Sequence, residues 1–538
     1  MLSARSSRPP AAAVLAALTV LLLLLASACR SASLDAPVPA TSAPAQPESS
    51  VPMSSVSAAA ERDCTAREAT DVPAHVTAEA AAVAQSSPDT ARAASVQFSV
   101  ALSRALYDCA HEVGLAFADD SEAILTLAER GLRGPLLLVE SWSAPEPMAE
   151  IRRLAPERIV AAGFNQQRLQ RQLSGIDTEF ELDWVPVDPN AALPLRDAPA
   201  ALVWVVHSAE RAAVLGSLGT QIGAAAVAVG AGEDLRALPP QARDTLRSAA
   251  HVELGAALDT EAAWQLEVVR RGEELPGGGL LLFEPGRARR LVAMYGHPAT
   301  SQLGVLGEQG PLEGIERVRS IARDYGADGS DVILAFEIIA TVASANPGGD
   351  GDYSNETALD VIRPWIDMAA ENDMYVVLDL QSGRTDFLTQ AKRYAELLRH
   401  PHVGLALDPE WRLRPGEVHL RQVGTVDAAE INPVVGWLAG LVREEALPQK
   451  LLIMHQFSFS MITNRDQVAT PAELAVMIHM DGQGPIATKY STWEVLTTQP
   501  DAGRFYWGWK NFYDEDFPTP TPQQVLALRP SPLFVSYQ

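Results

Sequence analysis

Residues 403–411, VGLALDPEW, set the reading of the C-terminal half of this chain: an apolar run ends in two carboxylates, Asp408 and Glu410, beside Trp411. A strand alternates faces at every residue, so as a strand this run places both acids on one face at its C-terminal end. The same design recurs in LVAMYG (291–296), VILAFEIIA (332–340), MYVVLDLQ (374–381), LLIMHQF (451–457), ELAVMIHMD (473–481) and RFYWGW (504–509), mostly with helical segments between. Continuous β-rich runs separated by helices predict parallel strands buried on both faces. The span 291–538 has 248 residues, close to the roughly 250 of a (β/α)8 barrel. One strand is left to find. VHLRQVGTV (418–426) is the nearest stretch, but the connection from Asp408 is too short for a normal helix, so an irregular barrel is expected.

A parallel barrel builds its site at the C-terminal ends of its strands, and polar residues collect there in this sequence. Glu410, Asp408, Glu337, Asp379, Asp481 and His455 are the candidate catalytic groups, with Tyr295, His297, Gln381, Trp411, Gln456, Trp493, Trp507 and Trp509 as candidate substrate contacts. One such residue would read as a cap or an ion pair. Their recurrence at most strand ends points to a cleft, because a charged group there is costly to desolvate unless paired or wet. Paired carboxyls can divide the acid and base work of glycoside hydrolysis. Flat rings such as Tyr490, Trp493, Tyr506, Trp507 and Trp509 suit the mixed faces of sugars, with core packing as the alternative for each and the expectation for Phe512. The LDPEW segment resembles the D-x-E strand end of chitinase-type and some lysozyme-type barrels. That resemblance implies Glu410 as proton donor with Asp408 assisting, although the preceding D-G-x-D portion is missing and Pro409 separates the acids.

The N-terminus places this chemistry outside the cytoplasm. Arg5 and Arg8 precede AAAVLAALTVLLLLLASAC, which has the charged, apolar and small-residue regions of an export signal over residues 1–28. LASAC resembles the lipobox of bacterial lipoproteins, which implies a diacylglycerol on Cys29; ordinary cleavage after Ala26-Ser27-Ala28 is the alternative. Residues 29–60, rich in Ser, Ala and Pro, have too few large apolar groups to bury a core and read as a tether. With Cys29 set aside, Cys64 and Cys109 form an even pair in an exported chain, which reads as one disulfide.

Residues 61–275 alternate apolar runs with helical patterns, as in layered α/β structure, and contain two similar units. VGLAFADDSEAILTLAERGLRGPLLLVE (113–140) with EIRRLAPERIVAAG (150–163) parallels ALVWVVHSAERAAVLGSLGTQIGAAAVAVG (201–230) with ARDTLRSAAHVELGAA (242–257). Aligning Ala118 with His207 gives strand, helix, strand, helix, strand in each, as an internal duplication would. ARAASVQFSVALS, LAFADDSEAILTLA, GPLLLV and RLAPERIVAAG, within roughly residues 90–260, resemble the cell wall binding repeat 2 family of Gram-positive surfaces. That implies noncovalent attachment to wall polysaccharide or peptidoglycan. The second unit has His207-Ser208-Ala209 where the first has Ala118-Asp119-Asp120. LPGGG and EPG, at Leu275 and Glu284, mark a linker over 276–290 before the barrel of 291–538.

The order of signal, tether, wall-binding units and barrel resembles an actinobacterial-type surface lipoprotein. A net charge of -25 argues against a nucleic-acid partner. No cofactor or metal is expected. His297, Asp379, Asp408, His455, His479 and Asp481 lack any H-x-H or H-E-x-x-H spacing, and NPGGDGDYSNE (346–356) reads as a Gly/Asp turn rather than a calcium loop. The functional expectation is a lipid-anchored, wall-binding glycoside hydrolase, and the alternative is a noncatalytic wall-binding scaffold with a carbohydrate cleft.

Overall fold

The computed structural model describes residues 63–67, 73–141, 145–176, 179–193, 199–255, 258 and 260–538. The export segment, Cys29 and the tether lie outside the described residues. Eight strands form one closed parallel barrel: β1 Arg289–Gly296, β2 Asp331–Ala343, β3 Tyr375–Leu380, β4 Val403–Leu407, β5 Lys450–His455, β6 Leu474–Met480, β7 Tyr506–Asn511 and β8 Phe534–Tyr537. β8 pairs with β1 through Phe534 opposite Leu291, and β1 with β2 through Leu291 opposite Ile333, which closes the ring. Closure leaves no edge within the ring, and a short antiparallel strand, Ser354–Glu356, is appended to the end of β2.

Seven strands fall on the apolar runs; the eighth does not fall on 418–426. That stretch is turn and coil up to Val426, with Leu420 at φ 62° and 88% exposed, so its alternating pattern has no core to face. The missing strand is Phe534–Tyr537, whose four residues are all buried. The expected irregularity lies elsewhere. Between β5 and β6 the chain makes the short turns Phe459–Met461 and Arg465–Gln467 and the two-residue strand Ile462–Thr463, paired with Val426–Asp427, in place of a full helix.

The segment read as a linker is packed. Leu280, Leu281, Leu282 and Phe283 are buried, and Phe283 lies 4.6 Å from the Tyr506 ring at the start of β7. Arg289, also buried, donates to the carbonyls of Gly277 and Gly278. The segment therefore packs against the N-terminal end of the barrel, where Leu275, Leu282 and Phe283 join the interior cluster.

The duplicated units have matching sheets. The first orders its parallel strands as Leu136–Val139, Glu112–Phe117, Arg158–Ala162 and Glu181–Val185, and the second as Ala224–Ala228, Leu202–Val206 and His251–Leu254. Gly114 pairs with Leu136 and Leu202 with Ala224, the same separation in each. The Asp120 carboxylate caps the helix Ser121–Arg130 and the Ser208 hydroxyl caps Ala209–Gly219. A capping oxygen thus survives in the second unit, on a turn one residue shorter. The second unit meets the N-terminal side of the barrel: buried Arg236 donates to the Ala472 carbonyl just before β6, and Arg443 pairs with Glu261 and Glu473.

Cys64 and Cys109 form a disulfide with Cα atoms 5.0 Å apart. Cys109 lies just beyond the helix Ala91–Leu106 rather than within it. Closing this loop of 45 residues' separation is worth roughly 4 kcal/mol on the chain-entropy model. The Cys64→Ser/Cys109→Ser protein is expected to lose stability on that order in urea unfolding, and a loss below about 1 kcal/mol would mean that the bond constrains little.

Candidate functional site

The interior of the barrel is apolar in its lower layers. Leu291 and Ala293 on β1, Ile333 and Ala335 on β2, Tyr375 and Val377 on β3, Leu451 and Ile453 on β5, and Ala475 and Met477 on β6 form one buried cluster. Two residues further along each strand the same inward face turns polar. The positions are Tyr295, Glu337, Asp379, His455 and His479, and β4, β7 and β8 add Asp408, Lys510 and Ser536. Each strand contributes one polar group to a single upper layer, and all eight are at most 3% exposed.

The groups touch. His455 Nε2 lies 3.0 Å from Glu337 Oε1 and 3.7 Å from Asp379 Oδ1, while its Nδ1 meets Asp481 Oδ2 at 3.1 Å. His479 stacks on His455 with ring centroids 5.0 Å apart, its Nδ1 3.8 Å from Glu337 Oε1 and its Nε2 3.3 Å from Ser536 Oγ. The Tyr295 hydroxyl donates to Asp379 Oδ2 at 2.8 Å and is reached by Gln381 Nε2 at 3.3 Å. The Lys510 ammonium sits 3.2 Å from the centroid of the Tyr295 ring. Glu337, His455 and His479 offer donor atoms that all lie within 4.8 Å of one another.

Asp408 and Glu410 come from the same loop but not from one strand face. β4 ends at Leu407, Pro409 starts a single tight turn, and Asp408 Oδ1 accepts the Glu410 backbone N–H at 3.1 Å. Asp408 stays in the buried layer while Glu410 rises to a half-buried position above it.

Burial and crowding separate the ionisations. Burial, with the charge of Asp481, pushes Glu410 up to about 7. Asp408 is raised well above the carboxylate range by burial and by Asp379 and Asp481, and Asp379 is raised chiefly by burial. Against the cost of burial, the imidazoles of His479 and His455 hold Glu337 at about 2. Against the same cost, Asp379, Asp481 and Glu337 raise His455, whereas burial lowers His479 to about 3. Acids displaced in opposite directions within one site can supply a proton donor and an anion together.

The remaining candidates separate into three groups. Tyr295 and Gln381 belong to the network. His297 is half-buried on Thr357 Oγ1 at 3.0 Å, and Trp411 is half-buried with its ring 5.3 Å from that of His419. Gln456 is held by Arg465 at 2.9 Å and serves the loop after β5. Trp493, Trp507 and Trp509 are corrected: they are 3%, 4% and 0% exposed, and Trp493 packs 5.7 Å from each of the other two. These rings join β7 to the helix Ile486–Thr497 outside the barrel and offer no open face to a sugar. Reading β7 one residue out of phase put the tryptophans in the cleft and left out Lys510, the residue that points inward. Ser536 is a site residue that the sequence does not point to, and His479 is named there only as a possible metal ligand; the two-residue step from Ala475 through Met477 is the signal that places it inward.

Asp350, Asp352 and Glu356 also come close together in the 346–356 loop. Asp352 is occupied there as a turn-former, accepting Ser354 N–H at 2.8 Å and the Thr385 hydroxyl at 2.8 Å. A concavity of about 310 Å³ lies between the duplicated units and is lined by Arg92, Asp119, His207, Ser208, Glu210 and Arg211. It shares no lining residue with the acid layer.

No family model matches the chain, and no curated protein matches it. Among solved structures it is similar to Cwp6 from Clostridium difficile, at 12% identity and TM-score 0.20 over 54% of this chain and 45% of that one. The chain thus spans less than half of that structure. It is also similar to the radical S-adenosylmethionine methyltransferase TsrM from Kitasatospora setae, at 11% identity and TM-score 0.16 over 64% and 67%. Aspartate transcarbamoylase from Trypanosoma cruzi follows at 10% identity and TM-score 0.13 over 73% and 87%. Likeness at this level carries no argument about activity. The closed parallel barrel rests on its own strand pairing, and no helix among the described residues is long and apolar enough to cross a membrane.

Proposed function

We propose that this chain is a surface lipoprotein whose duplicated α/β units bind wall polymer and whose barrel hydrolyses a wall glycan. The observation that carries the hydrolytic reading is Glu410: a half-buried carboxyl at the barrel mouth, above a layer of acids, raised to about 7. Such a group is protonated at mildly acidic to neutral pH and can donate to a leaving oxygen. Its backbone is fixed by Asp408, which orients the donor without sharing its proton. Glu337, Asp379 and Asp481 supply the anionic surroundings that an oxocarbenium-like state needs.

Incubating the full chain with purified wall polysaccharides and peptidoglycan is expected to release new reducing ends. Tight binding with none released would overturn hydrolysis and leave a noncatalytic wall binder. That second reading draws support from the charged concavity between the repeats and from the burial of the tryptophans. Mass spectrometry of the mature N-terminus is expected to find a lipidated Cys29; an unmodified amine there would remove the membrane anchor from the proposal.

A further inference from the structure

We propose that Glu337, His455 and His479 form a binding site for one divalent first-row transition-metal ion at the floor of the barrel mouth, with Asp379 beside His455. The site shares Glu337 and Asp379 with the anionic surroundings invoked for hydrolysis, but it is tested without any glycan, and it rests on three observations.

The first is spacing. Ligands on a tetrahedral ion with bonds of about 2.0–2.1 Å lie about 3.3 Å apart. The three donors bracket that value: Glu337 Oε1 is 3.0 Å from His455 Nε2 and 3.8 Å from His479 Nδ1, and all three atoms lie within 4.8 Å of one another.

The second is unmet valence. All four side chains have no solvent exposure, yet Glu337 Oε2, Asp379 Oδ1 and His479 Nδ1 have no hydrogen-bond partner. A buried polar atom without a partner costs about 1–3 kcal/mol. Asp379 Oδ1 and His479 Nδ1 flank the His455–Glu337 contact, at 3.7 Å from His455 Nε2 and 3.8 Å from Glu337 Oε1, so one cation there would meet both losses.

The third is the outer set of contacts. Ligating histidines are oriented by a hydrogen bond on the other ring nitrogen, commonly to a carboxylate or another oxygen. His455 has Asp481 on Nδ1, His479 has Ser536 on Nε2, and Asp379 has the Tyr295 hydroxyl on Oδ2. In each case the atom left facing the common point is the one a metal would take. Two imidazoles with carboxylates and no thiolate fit zinc, cobalt, manganese or iron(II) better than calcium or magnesium, which prefer oxygen throughout.

The test uses full-length protein freed of metal by a chelator and titrated with Co²⁺, followed by visible ligand-field absorption, with Zn²⁺ as competitor. One ion per chain is expected. Affinity should fall at least 100-fold in His479→Ala and about 10- to 100-fold in Ser536→Ala, and stay unchanged in His402→Ala, a buried histidine remote from the site. X-ray absorption of the zinc-loaded wild type is expected to show two imidazole nitrogens, which decides the matter even if His479→Ala fails to fold. Absence of stoichiometric binding, undiminished binding in a folded His479→Ala protein, or fewer than two imidazoles would overturn the site. No substrate enters these measurements, so a failure of the hydrolase reading leaves them intact, and their failure leaves that reading to its own assay.

Discussion

Glu410→Gln is expected to lower turnover of any wall glycan the barrel cleaves by about 10²- to 10⁴-fold, the usual contribution of a positioned general acid. Folding should be unaffected. The side chain is half-buried, and no hydrogen bond to its carboxyl is formed among the described residues. The pH profile gives a sharper check. A carboxyl at about 7 donates in its protonated form, so activity should fall as pH rises through about 7. The negative charge of Asp481 contributes to raising that value, so Asp481→Asn should move the alkaline limb to lower pH. In Glu410→Gln the limb should vanish with the activity. A Gln variant retaining full turnover, or an unshifted limb in Asp481→Asn, would remove Glu410 from the donor role.

The largest expected loss of stability comes from Lys489→Met. Lys489, 1% exposed in the helix Ile486–Thr497, donates to the buried Asp516 carboxylate and to the Lys510 carbonyl at 2.8 Å. Its ammonium also lies 5.0 Å from the Trp509 ring and 5.2 Å from that of Phe512. Methionine fills the space but leaves Asp516 buried with only the N–H groups of Gly484 and Phe512, at 3.0 and 2.9 Å. Breaking a buried pair from one side costs about 3–5 kcal/mol, chiefly through the stranded charge. Urea unfolding followed by tryptophan fluorescence should register a loss of that size, and Lys489→Met/Asp516→Asn should recover part of it. A single-variant loss under about 1 kcal/mol would show that water reaches the pair.

Most of the barrel was legible because seven of its strands are continuous apolar runs, the form expected of strands buried on both faces. β8 was not, since Phe534–Tyr537 is only four residues long and follows two prolines closely spaced at Pro530 and Pro532. VHLRQVGTV had the better strand composition and no place in the ring; what decides between them is pairing with β1, a long-range event invisible to a local pattern. The acids were found because each ends a run. Phase was harder to read. In β7 the bulky tryptophans suggested the cleft, but space inside an eight-stranded ring favours Gly508 and the slender Lys510, and the large rings pack outward against a helix. At Asp408 the alternation stops where Pro409 turns the chain, which separates two acids into different layers.

The pairing of Phe534 with Leu291 also orders events in time. β1 can find β2 as soon as both are made, but its other edge waits until almost the whole of the barrel has been synthesised. At about 5–20 residues per second that delay is on the order of ten to fifty seconds. Throughout it a strand of eight buried residues presents unpaired amides and apolar side chains along one side. On the reading of residues 1–28 as an export signal, this is the interval in which the chain must be kept from pairing with itself or its neighbours: passage across the membrane before closure would meet a thread, and passage after closure a ring that has to be broken open.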